Sequence, residues 1–300
     1  MRSEATSVSA LRPGQDVTAV FACTRKDRLI TRSGSPYLAL ELRDRTGTLP
    51  ARAFRDADAL AGGFERGDLV RVTGRVERFR DELVLELASV ARAAAGTADP
   101  AAFLPRAYRD LDELDGFLEH LAGEVRDGRF RSLLDGLLAD TALRTEWRRA
   151  PCTRAGHHAY LGGLLEHTVG VATLANELCQ LHPRLSADLL LTAALVHDLG
   201  KTCEFTYGAE FGLTEEGRLL GHVAIGQRML LERSAALDDE RRLALLHCVL
   251  CHHGPEAAPG RRFGSVEALA LYRLNALEAG VKGAIDHGLG VGAAGQASAQ

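Results

Sequence analysis

Eight consecutive residues, HCVLCHHG at 247–254, place three histidines and two cysteines side by side. Further upstream lie His167 in GGLLEHT, His197 and Asp198 in AALVHDLGKT, and His222 in LLGHVAI. Imidazole nitrogen combined with carboxylate oxygen suits iron, manganese, cobalt, nickel or zinc, so these residues could build a metal centre. The run Cys248-Val249-Leu250-Cys251-His252 also fits C-x-x-C-H, the pattern of covalent haem attachment, and its two cysteines could equally serve zinc or a redox dithiol.

The surroundings separate these chemistries. His197 and Asp198 follow LLLTAALV, an apolar stretch that reads as a buried helix. An ionisable pair there costs desolvation free energy unless a partner compensates, and a divalent cation is such a partner. A lone His-Asp pair is ordinarily a surface or capping feature; with four more histidines along a helical region, shared ligation is the better account. Haem attachment requires export, and the opening MRSEATSVSALRPGQD has no apolar run of the signal-peptide kind. No stretch reaches about 18 uninterrupted apolar residues, so no membrane contact is expected and a cytoplasmic location is. In that reducing compartment Cys23, Cys152, Cys179 and Cys203 read as free thiols in or near the core. Residues 239–252 read as a helix ending at Gly254, which makes Cys248 and Cys251 packing residues one turn apart. A thioredoxin-like dithiol would need a βαβ context that is absent. Function is left to the end of the string, His252 and His253.

Helices must position these groups. YRDLDELDGFLEHLAGEV puts Leu111, Leu114, Phe117, Leu118 and Leu121 on one face, and further helices are expected near 129–149, 160–181, 186–198, 215–233, 239–252 and 265–282. The front of the chain has a different period. PYLALELRD alternates Leu38, Leu40 and Leu42 with Ala39, Glu41 and Arg43, DRTGT is a polar turn, and GDLVRVTGRVERFRDELVLELASV repeats the pattern with turns near Gly74 and Arg80-Asp81. About five short strands suggest a small closed barrel. ARAAAGTADPAAFLPRA is Ala/Pro/Gly-rich, aperiodic, and reads as a linker. The expected division is a flexible N-terminus at 1–14, a barrel at 15–93, a linker at 94–107, a helical domain at 108–287 and a disordered tail at 288–300.

Composition agrees: 300 residues, 46% apolar and 25% charged, suit two globular domains. The net charge of −4 conceals an asymmetry, since residues 1–95 carry 16 Lys+Arg against 13 Asp+Glu and the remainder 20 against 27. A mildly basic front is compatible with nucleic acid, although charge alone favours ordinary solvated surface.

YLALELRDRTGTLPARAF and FERGDLVRVTGRVERFRDELVLEL resemble an OB-fold of the nucleic-acid-binding kind. Such folds hold single strands in a basic groove and stack bases on aromatic rings. The candidates are then Phe21, Tyr37, Phe54 and Phe79, with Arg25, Lys26, Arg32, Arg52, Arg55 and Arg80; for each aromatic, the core of a small barrel is the competing location. The series H…HDLGK…GH…HHG, with GHHAYLGGLLEHTVGVATLANEL and GRLLGHVAIG, resembles the HD superfamily of metal-dependent phosphohydrolases. An OB-fold followed by this domain is similar to the YhaM-type 3′→5′ exoribonucleases, over residues 15–282.

The resemblance implies a two-domain fold, an N-terminal all-β OB-fold barrel followed by an all-α HD domain. It implies two divalent ions, manganese first, with cobalt, iron, nickel or magnesium as alternatives. His167, His197, Asp198, His222 and one or both of His252 and His253 would be ligands, with Asp198 bridging. Lys201 would contact a phosphate oxygen, and His157, His158 and Tyr160 would line the cleft. Arg25, Arg52 and Arg55 would bind single-stranded RNA or DNA, and assembly into a homo-oligomer is compatible with such a domain. One position departs from the family pattern: EALALYRLNALEAGV has Asn275 where an aspartate ligand is usual, and Asn offers a carbonyl oxygen without the charge. Glu278 lies one helical turn on and could substitute. Three functions are thus in view: a 3′→5′ exoribonuclease, a phosphohydrolase of small or cyclic nucleotides with a regulatory barrel, and a nucleic-acid-binding protein with a weakened HD site.

Overall fold

The computed structural model describes residues 7–94, 96–286 and 288. The expectations for residues 1–6 and 289–300 lie outside these. The chain falls into two compact units. The first runs to Pro105 and takes in Thr206–Gly212; the second comprises Arg106–Phe205 and continues from Leu213.

The first unit is built on β1 (Asp16–Ile30), β2 (Pro36–Asp44), β3 (Gly47–Ala53), β4 (Leu69–Phe79) and β5 (Glu82–Arg92), with a short helix α1 (Ala57–Ala61) between β3 and β4. The strands close a barrel in the order β1-β2-β3-β5-β4. Alternation drives this: Leu38, Leu40 and Leu42 are buried and the residues between them only half-buried. Inside, they share a core with Val70, Val72, Val76 and Leu85. Closure comes from a short parallel pairing, Ala51 opposite Leu85 and Arg52 opposite Glu86.

Several expectations change here. Phe21 is fully buried in the barrel core, which removes it as a base platform. Gly74 is not in a turn but inside β4, where the register against β5 shifts; a Cβ there would lie 2.3 Å from the Glu86 carbonyl oxygen, so only glycine fits the bend. Arg80 and Asp81 do form a turn, both with positive φ. Residues 8–11 are tied down: the Val8 N–H donates to Asp44 Oδ2 at 2.8 Å and Leu11 is buried. In the stretch read as a linker, a 3₁₀ turn spans Pro100–Phe103, and Phe103 and Leu104 are buried because their side chains are large and apolar.

The second unit consists of α2 (Leu111–Glu124), α3 (Gly128–Ala139), α4 (Thr141–Arg149), α5 (Gly163–Leu181), α6 (Ala187–Val196), α7 (Lys201–Glu204), α8 (Glu215–Arg233), α9 (Asp239–Cys251) and α10 (Val266–Asp286). A two-stranded hairpin, β6 (Phe205–Tyr207) and β7 (Phe211–Leu213), interrupts the helices. Most of it clusters with the barrel, where Arg43 donates to the Ala209 carbonyl at 2.6 Å. The single helix expected over 129–149 is two, because Asp140 leaves helical geometry and caps α4 by accepting the Leu143 N–H. Asp110, Asp127 and Asp238 cap α2, α3 and α9 in the same way. Phe117, expected on the buried face of α2, is 41% exposed and lies at that face's edge.

Helix α6 decides where the chemistry sits. Every residue from Leu189 to Val196 is buried, as expected of a helix apolar on all sides. Its end therefore delivers His197 and Asp198 into the interior.

Candidate metal centre

His197 is the C-cap of α6, and both it and Asp198 are buried. His167 comes from the middle of α5, and His222 follows a kink in α8 at Gly221. His252 caps α9 and is buried, whereas His253 beside it is exposed. Gly200 lets α8 approach the turn after Asp198: a Cβ there would sit 2.0 Å from the His222 carbonyl oxygen.

The two oxygens of Asp198 face two sets of rings. Oδ2 lies 3.5 Å from His167 Nε2 and 3.4 Å from His197 Nε2, and these nitrogens are 3.2 Å apart. Oδ1 lies 3.4 Å from Nε2 of both His222 and His252, and His222 Nε2 is 2.9 Å from His253 Nε2. Donor atoms bound to one ion at about 2.0–2.2 Å stand about 3–3.5 Å apart, so each set has the spacing of a ligand shell. Among the described residues Asp198 Oδ1 and His252 Nε2 are buried without a hydrogen-bond partner. Such orphans are rare, and a shared cation would satisfy both.

The rings are oriented from behind. His197 Nδ1–H donates to the Ala194 carbonyl at 2.8 Å and His252 Nδ1–H to the Val249 carbonyl at 2.5 Å, which leaves each Nε2 facing Asp198. His167 Nδ1 is 2.5 Å from Glu278 Oε2. Burial pushes His167 well below its usual range and lowers His252, so both are neutral, the form that ligates. Burial alone would raise Asp198; the ammonium of Lys201 at 2.7 Å, followed by His197, holds it well below the ordinary carboxylate range. Glu278 is pushed up to about 7 by burial.

The structure thus brings together His167, His197, Asp198, His222, His252 and His253. Lys201 is buried, and its ammonium donates to Asp198 Oδ2 and to Cys152 Sγ rather than projecting toward a phosphate. His157 is half-buried, 3.4 Å from Cys152 Sγ. His158 is buried with its Nε2 3.3 Å from Glu278 Oε1, and Tyr160 donates to Glu166 at 2.8 Å. Asn275 donates through Nδ2 to the His252 carbonyl at 3.1 Å, fixing the end of α9. Two neighbours escaped the sequence reading. Glu204 Oε1 accepts the His222 N–H at 3.1 Å and lies 3.4 Å from its Nδ1, but KTCEF carries no spacing relative to the histidines that would flag it. Cys152 was read only as a thiol in or near the core, since a lone cysteine in APCTRAG has no pattern.

On the barrel, Tyr37 and Phe54 stack with centroids 5.3 Å apart, and the guanidinium groups of Arg52 and Arg80 lie 4.8 and 5.4 Å from the centre of the Phe79 ring. Phe54 and Phe79 are each about half exposed. Arg25, Tyr37 and Arg52 line one groove, and Arg55 and Phe54 line another. Lys26 is withdrawn, since its Nζ donates to the Phe64 carbonyl.

Comparison with known proteins agrees with this layout. The OB-fold nucleic acid binding domain matches residues 20–90 and the HD domain matches residues 164–283. The chain therefore carries an OB-fold of the nucleic-acid-binding class, followed by an HD domain, a class that implies divalent metal. More particularly, it is a homologue of bacterial proteins named 3'-5' exoribonuclease YhaM. The one from Bacillus velezensis is 28% identical over 247 residues, covering 80% of this chain and 77% of that protein. The one from Bacillus subtilis is 27% identical over 247 residues, with 80% and 77% covered. Among solved structures, the wild-type single-stranded DNA binding protein from Thermus aquaticus aligns with 28% of this chain and 42% of its own at 25% identity, with a TM-score of 0.25. Among the described residues no helix is long and apolar enough to cross a membrane.

Proposed function

We propose that this chain is a metal-dependent 3′→5′ exoribonuclease that shortens single-stranded RNA, and single-stranded DNA by the same chemistry, to nucleoside monophosphates. The observation that carries the reading is Asp198, a buried carboxylate with one oxygen in each of two histidine sets. His167, His197 and Asp198 Oδ2 would hold one ion; Asp198 Oδ1, His222, His252 and His253 would hold the other. The Asp198 oxygens suit manganese, and the imidazoles equally suit iron, nickel or zinc. Divalent ions bound there supply charge neutralisation at the phosphodiester and a water made acidic enough to lose its proton near neutral pH.

The protein's own groups do the positioning. Lys201 keeps Asp198 ionised and fixed between the two sets. Glu278, the Ala194 carbonyl and the Val249 carbonyl aim the rings of His167, His197 and His252, and Glu204 aims that of His222. Exposed His253 marks the side from which a scissile phosphate reaches the cluster. On the barrel, Arg25, Arg52 and Arg55 would contact phosphates and Tyr37, Phe54 and Phe79 would stack bases, a sequence-tolerant grip on a strand. A phosphohydrolase of small or cyclic nucleotides has no use for such a grip.

The test uses single-stranded RNA labelled at the 5′ or the 3′ end, with manganese or with chelator. A ladder of shortening 5′-labelled products, immediate release of a labelled mononucleotide from the 3′-labelled RNA, and arrest of both by chelator are expected. Tight binding without shortening would overturn the proposal in favour of a binding protein. Inertness toward RNA with hydrolysis of free nucleotides would overturn it in favour of a small-nucleotide enzyme.

A further inference from the structure

Cys152 is a reactive group at this centre that the proposed reaction leaves unused. It is buried, 3.4 Å from His157 Nε2, 3.3 Å from Lys201 Nζ and 3.8 Å from Asp198 Oδ2. One donor atom each from Cys152, His157 and His167 lie within 4.8 Å of one another. Among the described residues no other cysteine joins such a set, although Cys23, Cys248 and Cys251 are also buried. Cys251 Sγ lies 3.8 Å from the single imidazole of His247, whereas Cys152 is grouped with two.

We propose that Cys152, His157 and His167 form a soft-donor site that takes zinc, and that zinc held there withdraws His167 from the cluster around Asp198 and inhibits the manganese-dependent enzyme. The inhibitory half rests on the function proposed above; the binding half does not. Zinc binds sulfur at about 2.3 Å and imidazole nitrogen at about 2.0 Å, so at a tetrahedral angle the two donors stand about 3.5 Å apart. The observed 3.4 Å between Cys152 Sγ and His157 Nε2 is that spacing. The set discriminates between metals: thiolate and imidazole favour zinc, whereas manganese prefers carboxylate, carbonyl and water. Binding forms a sulfur–metal bond as the thiol S–H breaks, and its proton leaves to solvent. The Lys201 N–H remains available to donate to the sulfur. One thiolate and two imidazoles leave a fourth position for water or a solute.

The experiment uses the full chain and cobalt as a spectroscopic stand-in. Cobalt added to the wild-type protein should produce a thiolate-to-cobalt charge-transfer band, and zinc should abolish it by displacement. Cys152→Ala and the near-isosteric Cys152→Ser should both lack the band. Loss of an outer partner already weakens a metal site by about 10–100-fold, so loss of the sulfur itself should raise the zinc concentration for half-inhibition by about tenfold or more, relative to each protein's own manganese rate. No band in the wild type, or a band that persists in both variants, overturns the site. Equal zinc inhibition of wild type and variants overturns the inhibitory role. The band is read without RNA, so failure of the exonuclease reading would show separately, as absence of manganese-dependent shortening.

Discussion

The barrel and the helical unit deploy their polar side chains in opposite ways. On the barrel, Phe54 and Phe79 are half exposed and Arg25 projects into solvent beside Asp27. In the helical unit, His167, His197, Asp198 and His252 are 0–3% exposed and every ring is aimed by a second group. A face that grips successive nucleotides must accept any base and let go repeatedly, so many weak contacts serve it. A site that stabilises developing charge must be preorganised and dry, so a few buried groups carry it. Losing one residue should therefore be partial on the barrel and near-total in the cluster.

Asp198→Asn tests the sharp end of this contrast. Removing the shared carboxylate takes one charge from both donor sets, and kcat should fall by about 10²–10³-fold or more. Steady-state rates on a short RNA check this, and a fall of less than about tenfold would mean that Asp198 is not shared. The barrel should respond more mildly. Phe79→Ala removes a ring flanked by Arg52 and Arg80, and stacking is worth about 1–3 kcal/mol per base, so KM on a long RNA should rise by roughly tenfold to a hundredfold with kcat unchanged. A fall in kcat instead would break the separation of roles.

Two smaller effects belong to the scaffold. Asp115 is buried and accepts from Arg144 and Arg148, joining α2 to α4. Both arginines are partly solvated, so Asp115→Ala should cost about 1–3 kcal/mol, below the range for a fully buried pair, as a lowered unfolding midpoint in denaturant. Asp127→Ala removes the cap of α3 and the partner of Arg241, and should cost about 1 kcal/mol at neutral pH. The Asp127 carboxyl is held below its ordinary value: burial opposes this, but the Arg241 guanidinium and the N–H groups of Phe130 and Arg129 outweigh it. Its contribution is therefore present above the unfolded value of 3.8 and disappears as pH falls through the lowered folded value. Unfolding curves for wild type and variant should converge toward acid pH.

Features with a local cause were legible in the sequence. The alternation around Leu38, Leu40 and Leu42 placed a strand with its inner face, and the unbroken apolar run before His197 placed a buried helix that carries the pair inward. The histidine motifs were legible because imidazole beside carboxylate is costly to bury without a purpose. What escaped depends on distant chain segments. Gly74 looks like a turn residue until the carbonyl of Glu86 arrives from β5. Lys201 reads as a phosphate contact until Asp198 and Cys152 are seen to capture it. Asn275 reads as a defective ligand, whereas its amide is engaged with the His252 carbonyl and the carboxylate near His167 is that of Glu278, one turn later. The hairpin residues Thr206–Gly212 belong with the barrel although they lie in the middle of the helical stretch, which no local pattern announces.

The measurement that bears most directly on the division of roles is the affinity of Asp198→Asn for 5′-fluorescent single-stranded RNA, read by anisotropy, with the wild-type protein in chelator as reference. The account predicts affinities equal within about twofold, since it assigns the grip on the strand to the barrel and cleavage to the cluster, together with no shortening when manganese is added. Loss of RNA affinity in Asp198→Asn, or continued stepwise shortening by it, would contradict the account.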